Sequence, residues 1–347
     1  MSANFEGFWS TLKRPIFAMA PMANVTDAAF RRMFAEVAGD IGKPSVFWTE
    51  FVSVEGLLSA GRERLLVDFW KSDLERPIIA QVFGSKQEQF EEVARLIREL
   101  GFDGIDINMG CPDRGIEKSG AGASLIRRPE LAREIIRATK RGATSEAIGA
   151  DGKKLPAIPV SVKTRIGYAK NEIAEWLPIL LEEDIAALAI HLRTRNEMSD
   201  VPAHWEIAPE IVALRDRIAP KTLLLGNGDV ATLAEAHTRI QESGFDGVMI
   251  GRGMFGNPWC FSEASGGQAP SVHEKLMKMV EHTELFEKLY LGDKRLKSFD
   301  IMKKHFKAYC SGFDDAKELR IKLMEVENAA EVRELTESFL SGFSGKI

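Results

Sequence analysis

"IDINMGCPDRGIEKSGAGASLIRR", residues 105–128, contains one example of the unit from which we expect the whole fold to be built. An apolar run ends at residues 108–112, and a glycine-rich loop with charges of both signs follows it. Runs that carry few polar residues until their last positions are typical of parallel strands buried on both faces. The stretch therefore predicts a buried strand that opens into a loop, with Cys111 at the junction.

Eight runs of this kind occur along the chain, and longer amphipathic segments that predict helices lie between them. Thr26 and Ser85 precede two of these segments as candidate N-terminal caps. Eight strand–helix units over about 250 residues are typical of a closed (β/α)8 TIM barrel. A doubly wound open sheet is the alternative, but it would need a glycine motif in the first strand–helix turn. The predicted strands are 16–21, 45–51, 77–83, 104–110, 159–165, 186–193, 222–229 and 247–253.

The composition changes near residues 256–271, where Gly, Ser and Pro accumulate and the strand rhythm stops. Four segments with helical patterning follow, up to the end of the sequence. We therefore predict an α/β barrel domain over residues 1–266 and a small all-helical domain over residues 267–347.

The composition is that of an ordinary globular protein, with 347 residues, 45 % hydrophobic and 28 % charged. The apolar runs are far shorter than the roughly 20 residues that a membrane helix needs. Three scattered cysteines fit neither a disulfide framework nor a zinc site. A net charge of −5 argues against a general nucleic-acid coat but allows a local basic surface. We expect a cytoplasmic monomer without a membrane segment or a metal.

Polar residues gather at the predicted carboxyl ends of the strands, where barrel enzymes carry their active sites. Each of them has an ordinary structural explanation, since a lone Gln or His on a strand is often a satisfied core residue and a lone Cys often a packing residue. Their shared position at one end of the barrel favours a functional site. The residues concerned include Gln81, Asn108, Cys111, Lys163, Arg165, His191, Arg193 and Arg195.

The last two strands end in "GNGD" (226–229) and "GRG" (251–253). Barrel phosphate sites are commonly built from these two loops, because glycines let backbone N–H groups approach phosphate oxygens. Arg252 can add a charge-assisted contact. Lys163 suits a negative charge near the barrel centre, as a reduced flavin presents. A flavin is therefore favoured over another phosphorylated ligand.

Seven motifs taken together resemble the tRNA-dihydrouridine synthases over nearly the whole chain. They are "APMANVTDAAFR" (20–31), "QVFG" (81–84), "DGIDINMGCPDRGIEKSGAGASLI" (103–126), "PVSVKTRIGY" (159–168), "IHLRTR" (190–195), "LLGNGDV" (224–230) and "GVMIGRGMFGNPW" (247–259). The resemblance implies an FMN-binding barrel and a helical tRNA-binding domain. It implies reduction of the C5–C6 double bond of particular uridines in tRNA, with electrons from NADPH.

The resemblance also assigns roles to individual residues. Cys111 would be the proton donor, and Asn108 would contact both the flavin and the uracil. The flavin would be lined by Pro21, Met22 and Ala23, contacted along its ring or ribityl chain by Gln81, Lys163 and His191, and held at its phosphate end by Asn227, Gly228, Asp229, Gly251 and Arg252.

A further prediction concerns the residues that contact RNA. Residues 294–310 hold six Lys or Arg residues and one acid. A solvated helix face is the ordinary explanation of such a run, whereas the asymmetry and the family's "KKH" pattern favour phosphate contacts. The predicted tRNA contacts are Lys297, Lys303, Lys304 and His305, with Asn108, Arg165, Arg193 and Arg195 at the barrel mouth.

Two other functions fit parts of this pattern. A flavin barrel that acts on a free pyrimidine or an enone would share the cavity motifs, although the basic helical segment argues against it. A catalytically inactive RNA-binding protein would share the basic segment, although Cys111, Lys163 and the phosphate motifs argue against that.

Overall fold

The protein is described here by a computed structural model that covers residues 6–37, 42–149, 152–262, 270–292 and 295–343. All eight predicted strands are present, and their ends differ from the predictions by only a few residues. The strands are β1 (Ile16–Met19), β2 (Phe47–Ser53), β3 (Ile78–Phe83), β4 (Gly104–Met109), β5 (Val160–Arg165), β6 (Ala187–His191), β7 (Leu223–Asn227) and β8 (Gly247–Ile250).

The strands form one parallel sheet in the order β1-β8-β7-β6-β5-β4-β3-β2. The two strands at the ends of this order meet as well, since the Met19 N–H donates to the Val46 carbonyl at 3.1 Å. The Ser45 N–H donates to the Phe17 carbonyl at 2.7 Å on the same seam. The sheet therefore closes into the predicted barrel, and the open doubly wound alternative is wrong.

Nine α-helices of the described residues accompany the barrel. The first is capped by Asp27, whose Oδ1 accepts from the Phe30 N–H at 2.9 Å. The predicted caps are wrong, because the Thr26 hydroxyl accepts from the Met22 N–H and the Ser85 hydroxyl donates to the Ser119 carbonyl. The helices are α1 (Ala28–Val37), α2 (Val54–Leu57), α3 (Arg62–Leu65), α4 (Gln87–Glu99), α5 (Arg114–Lys118), α6 (Pro129–Thr144), α7 (Ile173–Leu181), α8 (Ala208–Ile218) and α9 (Leu233–Ser243).

The barrel interior is filled by alternate residues of the strands, as the two-residue period of a strand requires. Trp48 and Leu225 belong to this apolar interior, and Trp9 from the N-terminal turn joins it. Three neighbouring strands contribute buried polar residues instead, namely Gln81, Asp106 and Ser161. The residues of opposite parity pack outward against the helices and form the larger core.

In the part of the chain that the structure describes, four helices follow the barrel, as predicted: α10 (Val272–Tyr290), α11 (Asp300–Tyr309), α12 (Ala316–Leu323) and α13 (Ala329–Gly342). They share an apolar core that also includes Ala28 and Ala29 of α1, so the helices pack directly on the barrel. The predicted boundary between residues 266 and 267 lies outside the described residues. Lys297 precedes α11 rather than lying on it.

Over the described residues, no helix is long and apolar enough to cross a membrane. The same residues contain no group of three or more His, Cys, Asp and Glu side chains placed to hold a metal ion.

Candidate active site

A cavity of about 610 Å³ lies at the carboxyl ends of the strands. Its volume is within the range of small-molecule and cofactor sites. Most predicted site residues line it: Pro21, Met22, Asn108, Cys111, Lys163, Arg165, His191, Asn227, Gly228, Asp229, Gly251 and Arg252. The sequence prediction missed Ala20, Phe51, Gly110, Pro112, Ser199, Val230, Ala231, Met249 and Gly253.

Lys163 points from β5 toward β7, where its Nζ donates to Asn227 Oδ1 at 3.2 Å. The other end of the Asn227 amide donates to the Met249 carbonyl at 2.8 Å, which fixes the orientation of Oδ1. Burial lowers the pKa of Lys163 to about 8, and the positive charge of the nearby Arg165 is the second contribution to this shift. The ammonium thus stays mostly charged at neutral pH.

His191 is neutral in this site. Burial lowers its pKa well below the usual value, and the positive charges of Arg165 and Lys163 lower it further. Its Nε2 lies 3.1 Å from Arg193 Nη1. A guanidinium can only donate, so Nε2 is the acceptor and Nδ1 carries the proton. His191 therefore offers one N–H donor without adding a charge.

The predicted phosphate end combines glycine backbone with paired charges. Gly228 has φ +128°, and its carbonyl accepts from Trp205 Nε1 at 2.9 Å. Asp229 accepts from Arg193 and, at 2.7 Å, from Arg252. A carboxylate repels phosphate, so Asp229 orients the two guanidinium groups rather than contacting an anion itself.

Cys111 begins the loop after β4, and its backbone is held at both ends. Its N–H donates to Asn108 Oδ1 at 2.9 Å, and its carbonyl accepts from the Ala123 N–H at 2.9 Å. The loop contains α5, which Asp113 caps through the Gly115 and Ile116 N–H groups. Burial raises the pKa of the Cys111 thiol, which is therefore protonated at neutral pH.

The arginines at the mouth are largely occupied by protein partners. Arg165 donates to the carbonyls of Gly110 and Thr194 at 2.8 and 3.0 Å, and Arg193 donates to that of Val201. Arg195 Nε lies 2.9 Å from Glu117 of α5. Arg165 and Arg193 are buried, so they do not lie on the outer surface of the protein, although Arg165 lines the cavity. Their contact with tRNA stays a prediction.

Two predicted flavin contacts lie elsewhere. Gln81 is completely buried below the cavity, where its amide bonds Asp106 and Asn108. Ala23 is exposed and does not line the cavity. Phe51 was missed because an apolar side chain at a strand end carries no polar signal, and Ser199 because no motif covers its segment.

Two of the four tRNA contacts predicted in the helical region have little exposed side chain. His305 is completely buried, with its ring 5.3 Å from that of Phe30 and 5.7 Å from that of Phe255. Lys297 is buried between Glu50 and, at 2.8 Å, Asp68. Neither side chain is available to a phosphate, because His305 is buried and Lys297 is already paired with two carboxylates.

Two other lysines of the predicted set lie on α11. Lys303 pairs with Asp300 at 2.7 Å. Lys304 is exposed, and its Nζ donates to the Asn24 carbonyl at 2.7 Å. Asn24 has a left-handed φ of 53°, and its N–H donates to Glu50, so its peptide groups are held from two sides.

The fold and this cavity define a (β/α)8 barrel enzyme with a cationic cavity at the carboxyl ends of its strands. The family model "Dihydrouridine synthase (Dus)" matches residues 18–343. The chain therefore belongs to the dihydrouridine synthase family and is an oxidoreductase, as the sequence resemblance predicted.

Relatives of similar length support this assignment. A probable tRNA-dihydrouridine synthase of Staphylococcus epidermidis is 43 % identical over 340 residues, covering 96 % of each chain. Probable tRNA-dihydrouridine synthase 2 of Bacillus subtilis is 40 % identical over 336 residues, covering 96 % of this chain and 97 % of the relative.

Among solved structures, the barrel is similar to a complex of 2-naphthoyl-CoA reductase with 2-naphthoyl-CoA. The TM-score is 0.50 at 12 % identity, over 73 % of this chain and 50 % of the other. An amine oxidase of Pseudomonas geniculata N1 gives the same TM-score and identity over 72 % and 46 %. At this identity the likeness concerns the fold alone.

Proposed function

We propose that this enzyme reduces the C5–C6 double bond of uridines in tRNA, with FMN as cofactor and NADPH as electron donor. One observation carries the proposal: a protonated cysteine and a partly buried lysine face the same cavity, which glycines and Arg252 also line. The curated relatives, which are named for the same reaction on tRNA, support it.

The cavity residues fit FMN. Lys163, Arg165 and Arg252 outnumber Asp229, the one carboxylate among the lining residues that the structure describes. A Cβ at Gly251 would meet nothing nearer than Ala20 Cβ at 3.6 Å, so packing does not require glycine there. The absence of a side chain at Gly251 instead leaves the backbone open toward the cavity, as a phosphate site requires.

The residues that would hold the cofactor follow from this lining. Pro21 and Met22 would lie along the flavin ring, Lys163 and the His191 N–H would bond its polar edge, and Arg252 with the Gly251 backbone would bind its phosphate. When bound, the flavin supplies the hydride that adds to C6 of the uracil.

Cys111 would complete the reaction from its own side of the cavity. Hydride addition at C6 leaves negative charge on C5 and O4, and the thiol transfers its proton to C5 as a general acid. The resulting thiolate lies in the field of Arg165 and Lys163 until water reprotonates it. The balance is uridine, NADPH and one proton to dihydrouridine and NADP⁺.

The tRNA would bind across the barrel mouth and α11. Arg114 and Lys118 are exposed on α5 within the loop after β4, Arg127 and Arg128 are exposed just before α6, and Lys304 is exposed on α11. A uridine in folded RNA has to be turned outward to enter such a cavity, as in other base-modifying enzymes. Lys297 and His305 are no longer part of this proposed surface.

The test is nucleoside mass spectrometry of unmodified tRNA incubated with the purified protein, FMN and NADPH. The proposal expects a mass gain of two hydrogens at defined uridines. A parallel incubation with free uridine separates this function from that of a small-molecule reductase. Reduction of uridine but not of tRNA would contradict the proposal.

A further inference from the structure

Asp106 is a buried carboxylate in the middle of the barrel that the proposed chemistry does not use. It lies on β4, is completely inaccessible, and occupies an interior layer that barrels usually fill with branched apolar residues. Burying a carboxylate is unfavourable unless hydrogen bonds satisfy it. Its presence there calls for a function of the hydrogen bonds that it makes.

Those bonds begin a chain that ends at the candidate proton donor. Asp106 Oδ2 accepts from Gln81 Nε2 at 2.6 Å, and Gln81 Oε1 accepts from Asn108 Nδ2 at 3.0 Å. Asn108 Oδ1 then accepts from two backbone N–H groups, that of Gly110 at 3.1 Å and that of Cys111 at 2.9 Å.

The order of donors and acceptors along this hydrogen-bond chain follows from its first member, Asp106. An ionised carboxylate only accepts, so it requires Gln81 to present its NH₂ group. Gln81 then has only its oxygen for Asn108, which must donate through Nδ2. Asn108 is left with its oxygen toward the loop, where two N–H donors need an acceptor. A reversed amide at either position would set donor against donor.

We infer that Asp106 is a positioning residue for Cys111, acting through the amides of Gln81 and Asn108. This inference rests on the proposed function, in which Cys111 donates the proton. The carboxylate does not touch the substrate. It sets which end of each amide faces the next and thereby where the cysteine backbone is held.

Ser161 supplies a matched control. Its hydroxyl donates to the other oxygen of the same carboxylate, Asp106 Oδ1, at 2.5 Å, and it is equally buried in the barrel. Ser161→Ala therefore removes one hydrogen bond of Asp106 without interrupting the path to Cys111. Asp106→Asn keeps the size of the side chain but can present either an oxygen or an NH₂ group to Gln81.

The experiment compares these two variants with the wild type at pH 8, where Asp106 is ionised. We measure FMN content, the rate at which NADPH reduces the enzyme, the rate at which the reduced enzyme converts tRNA uridine, and alkylation of Cys111 by iodoacetamide, mapped by mass. For Asp106→Asn we expect unchanged FMN content and reduction by NADPH, but uridine conversion slower by about 10- to 100-fold. Alkylation should be several-fold faster, because the cysteine backbone loses its fixed acceptor. Ser161→Ala should match the wild type within about threefold in all four measurements.

The outcomes separate this inference from the proposed function. If Asp106→Asn behaves like Ser161→Ala in both uridine conversion and alkylation, Asp106 does not position Cys111. If the wild type makes no dihydrouridine, the proposed function fails, and the alkylation rates alone still decide the positioning role. If Asp106→Asn does not fold, Gln81→Met breaks the same hydrogen-bond chain one step later, and its alkylation rate, which requires no flavin, is held to the same expectation.

Discussion

Lys163 and Cys111 face the same cavity, yet burial moves their pKa values in opposite directions. The pKa of the ammonium falls to about 8, whereas that of the thiol rises from its ordinary value. Burial disfavours the charged form of either group. At neutral pH the cavity therefore holds a neutral thiol and a lysine that is still mostly charged, which is the combination that the proposed proton donation by Cys111 requires.

Cys111→Ala tests the acid directly. We expect this variant to bind FMN and accept electrons from NADPH as before, while single-turnover conversion of tRNA uridine slows by about 10²- to 10⁴-fold, the usual contribution of a general acid. Cys260→Ala is the control, because Cys260 is also a free cysteine but does not line the cavity. Full activity of Cys111→Ala would remove the thiol from the mechanism.

Burial of Asp106 also predicts how the free energy of unfolding depends on pH. Burial raises its pKa to about 6 from an ordinary 3.8, so between these values the folded state binds more protons than the unfolded state. Its contribution to the free energy of unfolding is therefore largest below about pH 4 and is lost as the pH rises through about 6. The loss is on the order of 2–3 kcal/mol.

Denaturant titrations of the wild type and Asp106→Asn at pH 4.5 and pH 7.5 measure this effect. We expect the stability of the variant relative to the wild type to increase from the lower to the higher pH, because the variant has no carboxyl group to deprotonate. An equal difference at both values would show that Asp106 titrates normally.

At the scale of elements, the loop after β4, which begins at Cys111 and contains α5, is an ordered structure rather than an open glycine-rich segment. Asp113 caps α5, and Glu117 of the same helix pairs with Arg195, which follows β6. The ring of Tyr168 lies 4.2 Å from the Arg127 guanidinium and 5.6 Å from that of Arg195. The loop is thereby tied to the segments after β5 and β6, so its opening has to break an ion pair.

Glu117→Gln should loosen this loop without unfolding the protein. A partly exposed ion pair is worth about 1 kcal/mol or less, which corresponds to about fivefold more frequent local opening. Hydrogen exchange of the amides of residues 114–119 should accelerate accordingly, with little change in Tm. Glu146→Gln breaks the exposed pair of Glu146 with Lys154 and should leave this segment unchanged.

The strand-end residues could be predicted from sequence because a parallel sheet brings the carboxyl ends of its strands together whatever else the chain does. Asn108 lies opposite Lys163, and His191 opposite Asn227, in the observed register. The roles of charged side chains could not be predicted in this way. Glu117 pairs with Arg195, 78 residues away, and Glu50 pairs with Lys297, 247 residues away. No local sequence pattern predicts partners at such separations.

At the scale of the whole molecule, the helical region is joined to the barrel by buried polar contacts as well as by apolar packing. Lys297 lies between Glu50 of β2 and Asp68, and the Tyr290 hydroxyl accepts from the Ala28 N–H at 2.9 Å. The rings of Tyr290 and Trp70 stack at 5.6 Å. The basic segment that resembles an RNA-binding surface thus contributes part of its charge to holding the molecule together.

Lys297→Met should be strongly destabilising near pH 7.5, by about 3 kcal/mol, because it leaves Glu50 buried without its cation. Burial already raises the pKa of Glu50 to about 7, and removing Lys297 raises it further. The carboxyl is therefore neutral near pH 5.5, where the destabilisation should be smaller. Lys307→Met, on an exposed position of α11, should change the free energy of unfolding by less than about 0.5 kcal/mol at either pH.

Asn24 lies between Met22, at the wall of the cavity, and α1. Its carbonyl is bonded by Lys304 and its N–H by Glu50, which in turn pairs with Lys297. A barrel severed from its C-terminal helices would lose both lysines and with them the restraint on a left-handed backbone. Truncation would therefore alter the wall of the cavity at Met22, and in the proposed function it would also remove Lys304 from the surface that binds RNA. We therefore do not expect the isolated barrel to keep the activity of the whole protein.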